Sequence, residues 1–171
     1  MGQAEQIREA ASAALAGSGV VVETVAVHPA GKRRLVRVGV ARDVADLLGS
    51  DQDSVVEPLT LDEVAEASRA VGAALDESDA VGQAPYTLEV TSLGVDHPLT
   101  TPAQFRRNVG RLLRLRLGQD ADQDRTTESR LVAAGPDGIR LSENPDDVLP
   151  YDRIAAATVQ VEFTRPGGKD D

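Results

Sequence analysis

Hydrophobic residues change their repeat several times along this chain, and each change limits the fold. From Gln3 to Ala16, the residues Ile7, Ala10, Ala11, Ala14 and Leu15 share one face at helical spacing. That predicts an amphipathic helix, ended by Gly17 and Gly19. From Val20 to Val27 β-branched residues dominate, and Val36, Val38 and Val40 then alternate with Arg37 and Gly39. His28-Pro29-Ala30-Gly31-Lys32 between these runs is a turn of hairpin length, so two antiparallel strands follow the helix. Asp43 to Glu57 is acidic and loop-like, with Leu47 and Leu48 in a short helical turn. Thr60-Leu61-Asp62-Glu63 has the capping-box pattern and starts a second helix, whose predicted inner stripe is Leu61, Val64, Ala65, Ser68, Val71 and Leu75. Tyr86, Leu88 and Val90 alternate with Thr87, Glu89 and Thr91 in a third strand. The order helix, strand, strand, helix, strand packs economically as two helices on one face of a three-stranded sheet.

After Pro98 the pattern changes. Thr100 to Asn108 holds one helical turn, with Pro102 where a helix start tolerates proline. Leu113, Leu115 and Leu117 alternate with Leu112, Arg114 and Arg116, and further strands are expected at 129–133, 139–141 and 156–163. Gly135-Pro136-Asp137-Gly138 is a hairpin signal, and Tyr151 to Ile154 a tight turn. Short strands at this density predict a small barrel. The fold class is therefore α+β: an N-terminal two-layer domain over residues 1–97, a C-terminal small β-barrel over 98–164, and a polar tail over 165–171.

Composition removes several functional classes. The chain has 171 residues, 28 acidic against 18 basic groups, and a net charge of −10. It has no cysteine, which excludes a disulfide scaffold and a cysteine-based zinc site. Tyr86, Phe105, Tyr151 and Phe163 are its only aromatic residues, too few for a base-stacking platform. The longest uncharged run, Ala10 to Val22, has thirteen residues, against the roughly 20 that a membrane span needs. Glu5 and Glu9 flank Arg8, unlike the positive leader of a signal peptide. A cytoplasmic location without membrane contact is expected.

No catalytic constellation emerges. His28 lies in a predicted turn without a serine or acid motif beside it. Gly167-Gly168-Lys169 has no strand before it or helix after it, so it is not a phosphate loop. Counted from Asp120, Arg125 stands at the sixth position, where a calcium loop requires glycine. Neither a cofactor nor a metal site is expected, and the chain reads as a non-enzyme.

Two segments stand out. Tyr86 to Leu99 runs from a strand into Ser92, Gly94, Asp96, His97 and Pro98. This reads either as an inter-domain connector or as a docking surface that uses Glu89, Ser92, Gly94, Asp96, His97 and Pro98. Phe105 to Arg116 holds Arg106, Arg107, Arg111, Arg114 and Arg116 and no acid. Guanidinium forks suit phosphate, so the strip is a candidate contact to RNA or a partner, against the plainer reading of arginines facing solvent. Residues 1–85 carry 7 basic and 14 acidic groups and residues 86–171 carry 11 and 14, which makes the first domain the acidic one.

The segment YTLEVTSLGVDHPL, followed by Phe105-Arg106-Arg107 and Val109-Gly110, resembles the ribosome maturation factor RimP family. Leu93 stands where that family usually has proline and His97 where it has arginine; a barrel-strand glycine appears as Ser129, and Asp43 to Pro58 is long for the family. The resemblance implies an SH3-like, Sm-like barrel as the second domain. It also implies a non-enzymatic factor that binds the free 30S small ribosomal subunit, aids its maturation and assists incorporation of small-subunit ribosomal protein twelve. Expected partners are that subunit, that basic protein and the ribosomal RNA backbone, met by a monomer. A general Sm-like RNA-binding module outside ribosome assembly is the alternative.

Overall fold

The computed structural model describes residues 2–93, 97–118 and 125–162. The chain forms two compact units, Met1–Asp43 with Glu57–Leu93, and Val44–Val56 with Gly94–Asp171. The first contains α1 (Gln3–Leu15), β1 (Val20–Ala30), β2 (Arg33–Arg42), α3 (Leu61–Glu77) and β3 (Tyr86–Ser92). The short α2 (Leu47–Ser50) belongs to the second unit. The expected boundary at 97/98 therefore misses a feature: the chain passes between the units three times, after Asp43, Val56 and Leu93.

In the first unit the sheet order is β1-β2-β3. β1 and β2 are antiparallel, with Val27 opposite Val36 and Val25 opposite Val38. β3 runs parallel to β2, which places Val36 beside Leu88 and Val38 beside Val90. A parallel neighbour cannot be reached by a tight turn, and the intervening α3 fits that requirement. Ile7, Ala11 and Leu15 of α1 and Ala67, Val71 and Leu75 of α3 close over Val36, Val38 and Val40 in one core. Each such Val, Leu or Ile contributes about 1.5–3 kcal/mol through burial. Gly17 and Gly19 turn the chain from α1 into β1 at φ 78° and 82°, the left-handed region that favours glycine.

The buried stripe of α3 differs from the expected one. Leu61, the first residue of the helix, is 89% exposed, and Ala67 takes the inner position beside Val71 and Leu75. The helix start itself forms as the sequence predicts. The Thr60 hydroxyl accepts from the Glu63 amide at 3.1 Å, and the Glu63 carboxylate accepts from the Thr60 amide at 3.1 Å. Arg42, at the end of β2, pins this cap. Its Nε donates to the Glu57 carbonyl at 2.9 Å, and its Nη2 to the Pro58 carbonyl at 3.3 Å and the Glu63 carboxylate at 2.9 Å. The Arg42 bond is the main reason that the Glu63 carboxyl is held down at about 2.

The second unit contains α2, α4 (Pro102–Arg107), β4 (Leu112–Leu117), β5 (Arg125–Ala134), β6 (Gly138–Leu141), β7 (Asn144–Pro150), a 3-10 turn at Tyr151–Arg153 and β8 (Ile154–Val159). Its five strands form an antiparallel sheet in the order β7-β6-β5-β4-β8, compatible with a small barrel. β5 pairs with β4 through residues 125–130 and with β6 from Leu131 onward, so one strand serves both halves of the sheet. Leu113, Leu115, Leu131, Ile139, Ala157 and Val159 point into the core with Phe105. Ser129, where a family glycine was expected, is buried opposite Leu113, and its hydroxyl lies 3.3 Å from that of Ser142. β7 has no hydrophobic alternation, so its pairing with β6 is not visible in its composition.

Arg106 ties residues 44–56 into this unit. Its side chain is fully buried. Nε donates to the Asp51 carbonyl at 2.7 Å, Nη1 to the Ser54 carbonyl at 2.6 Å, and Nη2 to the Ser54 hydroxyl at 2.7 Å. The Asp51 carboxylate lies 3.4 Å from Nη2. The Ser54 hydroxyl and amide, with the Arg106 charge behind them, hold the Asp51 carboxyl below the usual range. Ala134 closes the strap from the other side, donating its amide to the Gln52 carbonyl at 2.9 Å.

Two outcomes follow. Arg106→Met removes the buried donor that holds the Asp51–Ser54 strap and is expected to lower stability in urea unfolding by about 3 kcal/mol. Hydrogen exchange at the Ala134 amide should accelerate in the same variant. Glu63→Gln tests the pH dependence. The folded-state value of about 2 lies below the ordinary carboxyl value of 4.5, so the ionised form stabilises the fold above pH 4.5 and loses its effect as pH falls toward 2. The stability gap between the parent and Glu63→Gln should therefore be widest near neutrality and shrink through that window.

Candidate functional site

The Tyr86–Leu99 segment places its residues unequally. Glu89 projects from β3 on the sheet face opposite the helices and accepts from Arg37 Nε of β2 at 3.0 Å. Ser92 is exposed at the end of β3. His97 and Pro98 are exposed, whereas Gly94 and Asp96 lie outside the described residues. Leu93 covers Gly39: a Cβ on that glycine would meet Leu93 Cδ2 at 2.6 Å and collide with the Thr24 hydroxyl. Glycine at position 39 is thus set by close approach, and Leu93 is packed onto the sheet where the family usually has proline. Leu99 is paired within the second unit, its amide donating to the Ala157 carbonyl at 2.8 Å.

The arginine strip is divided. Arg106 is a correction to the expected surface: its guanidinium is spent on the strap and has no access to solvent. Arg107 is half-buried at the end of α4, and Arg111 is exposed. The Arg111 charge helps Arg130 keep the Glu162 carboxyl below its usual range, with the Arg130 bond as the larger cause. Arg114 and Arg116 face outward from β4, between the buried Leu113 and Leu115 and beyond. Across the sheet, Arg114 lies between Glu128 and Thr158, and Arg116 between Thr126 and Ala156. The two threonines were not among the expected contacts, although Thr126 and Glu128 share the strand parity that faces outward on β5.

The structure also changes the charge argument. The first compact unit has 12 acidic and 7 basic residues and the second 16 and 11, so each carries −5. The expected contrast between a strongly acidic and a mildly acidic domain disappears, because Asp46, Asp51 and Asp53 move to the second unit with the strap and Glu89 stays in the first. A sharper contrast replaces it. On α1 and α3 stand Glu5, Glu9, Asp62, Glu63, Glu66, Asp76 and Glu77 against Arg8 and Arg69. These two helices hold the whole surplus of −5, and the rest of the unit is balanced. Only Glu63 of the seven acids is half-buried; the others are exposed.

Among the described residues, no three His, Asp or Glu side chains gather as metal ligands do. Among them, too, no helix is long and apolar enough to cross a membrane. The fold and its polar residues define a class: a two-unit α+β protein with a small antiparallel second unit, whose charges lie on exposed helix and strand faces. The RimP N-terminal domain model matches residues 10–96. The chain is 40% identical over 163 residues to the ribosome maturation factor RimP of Kineococcus radiotolerans, covering 88% of this chain and 74% of that protein. It is 35% identical over 175 residues to the ribosome maturation factor RimP of Frankia casuarinae, covering 92% of this chain and 59% of that one. The chain belongs to the ribosome maturation factor RimP family.

The Glu89–Arg37 pair is half-exposed on both sides. Such pairs contribute little, so Glu89→Gln should change stability by less than about 1 kcal/mol in urea unfolding. Any larger effect of that variant on binding a partner would then report on the surface itself.

Proposed function

We propose that this chain is a non-enzymatic, cytoplasmic assembly factor that acts as a monomer, binds the free 30S small ribosomal subunit and assists incorporation of small-subunit ribosomal protein twelve. Membership of the family supports ribosome maturation as the process. The observation that carries the finer reading is the separation of charge on the fold: an acidic helix pair on one unit and outward arginines on the other. The α1–α3 face suits a strongly basic ribosomal protein and shields it from premature contact with RNA. That attraction is long-range and salt-sensitive, since screening acts over about 10 Å at 0.1 M salt. Arg111, Arg114 and Arg116, with Arg107 at their margin, serve as the RNA contact; Glu89, Ser92, Gly94, Asp96, His97 and Pro98 serve as a docking segment.

Sucrose-gradient sedimentation tests the reading. The chain should migrate with free 30S subunits and not with assembled ribosomes. Unrelated structured RNA in excess should not displace it; displacement would favour a general RNA-binding module instead. Replacing Glu5, Glu9 and Glu66 by lysine should weaken capture of the isolated basic protein, more at low salt than at high salt. Migration with neither subunit nor protein would refute the assignment.

A further inference from the structure

We infer that the outward face of β4 holds two consecutive phosphates of one RNA strand that crosses it obliquely, with Arg114 and Arg116 as the cations and Thr126 and Thr158 as neutral donors. This rests on the RNA-contact reading above and specifies the ligand geometry of that surface. Arg114 and Arg116 are two residues apart on one strand, so their Cα atoms are separated by about 6.6 Å at the usual strand rise. That is close to the spacing of consecutive phosphates on a single nucleic-acid strand. Both side chains are exposed, and among the described residues neither makes a hydrogen bond or an ion pair. Arg130, on the same sheet face, is by contrast engaged with the Glu162 carboxylate and the Gly110 carbonyl.

The neighbours complete the site. Arg116 is flanked by Thr126 and Ala156, and Arg114 by Thr158 on one side. These short side chains keep the face low enough for a backbone to approach, and their hydroxyls donate to phosphate oxygens. Thr158 Oγ1 accepts from Gln160 Nε2 at 3.4 Å, which leaves its own proton for another acceptor. Glu128 sits across from Arg114 on the other side and repels phosphate there. The strand therefore runs obliquely, from the Thr126 side of Arg116 to the Thr158 side of Arg114. Phe105 and Tyr151 pack against each other, with ring centroids 5.4 Å apart, and are not offered to bases. The contact thus reads backbone and not base identity.

The experiment measures binding of a short labelled oligouridylate to the full chain at several salt concentrations. Each phosphate contact to a single strand contributes about 0.7 to the slope of log affinity against log salt. Arg114→Gln with Arg116→Gln should therefore reduce that slope by about 1.4. Thr126→Val with Thr158→Val should lower affinity about tenfold without changing the slope, because neutral donors release no counterion. Glu128→Gln should raise affinity, and oligoadenylate should behave like oligouridylate. All these side chains stand on the outward face, so thermal unfolding of the variants serves as the check that the fold is kept. An unchanged slope in the double arginine variant, or an equal fall in Arg140→Gln, overturns the inference. If the double variant still migrates with 30S subunits while its slope is unchanged, only this geometry fails; if the parent chain does not migrate with them, the underlying function fails.

Discussion

A guanidinium with no access to water organises the second unit. Burying such a charge is costly unless it is paired and hydrogen-bonded, and each of the three Arg106 nitrogens has a partner among two carbonyls, a hydroxyl and a carboxylate. All of these acceptors come from residues 51–54, so the charge selects one conformation of an otherwise polar strap. Phe105, its neighbour on α4, enters the hydrophobic core at the same time. One short helix, started by Thr101, Pro102 and Gln104, therefore serves two purposes: it fixes the strap and seals the sheet. Arg42 does similar work in the first unit, where it holds the loop before α3 and the cap of that helix together.

These two arginines bear on function because they leave the others outside. Basic residues in this chain are used in two ways. Some, like Arg106 and Arg42, satisfy backbone carbonyls and carboxylates of their own unit. Others, like Arg114 and Arg116, project from a strand whose opposite parity is leucine. The alternation of β4 makes that division without further help, since one side of a strand that seals a core must leave the other facing out. The acidic surplus of the first unit is likewise placed by elements: the outer sides of α1 and α3 carry it, because their inner sides are Ile, Val, Leu and Ala.

Much of this was legible in advance. Hydrophobic period located α1, β3 and the leucine alternation of β4, since each buries one face, and turn and start signals added the β1–β2 hairpin, α3 and the proline-started α4. The Thr60–Glu63 capping box depends on local spacing and is visible in the sequence for that reason. Other features were not legible. β7 is a polar strand held by pairing with β6, so it has no pattern of its own. Leu61 belongs to the helical stripe by spacing, yet at the first position of α3 it lies beyond the core and is exposed. Ala67, a small residue without a strong hydrophobic signal, is buried with Val71 and Leu75. Within the candidate site, the local run of arginines was visible, but the fate of each was not. Arg106 and Arg107 are adjacent in sequence and equal in charge, and only one is buried to completion.

What the sequence determined by itself was therefore the kind and order of the elements other than β7, the start of α3 and the segment that marks the family. These follow from interactions between residues a few positions apart. Tertiary structure decided which unit owns residues 44–56, which arginine is internal, and where the net charge lies. Those depend on partners far along the chain, such as Asp51 and Ser54 for Arg106 or Thr158 for Arg114, and on pairing registers that no local pattern encodes. Counted along the sequence the charge divides into an acidic and a milder half; counted on the folded units it is equal, and the surplus of the first unit belongs to two helices.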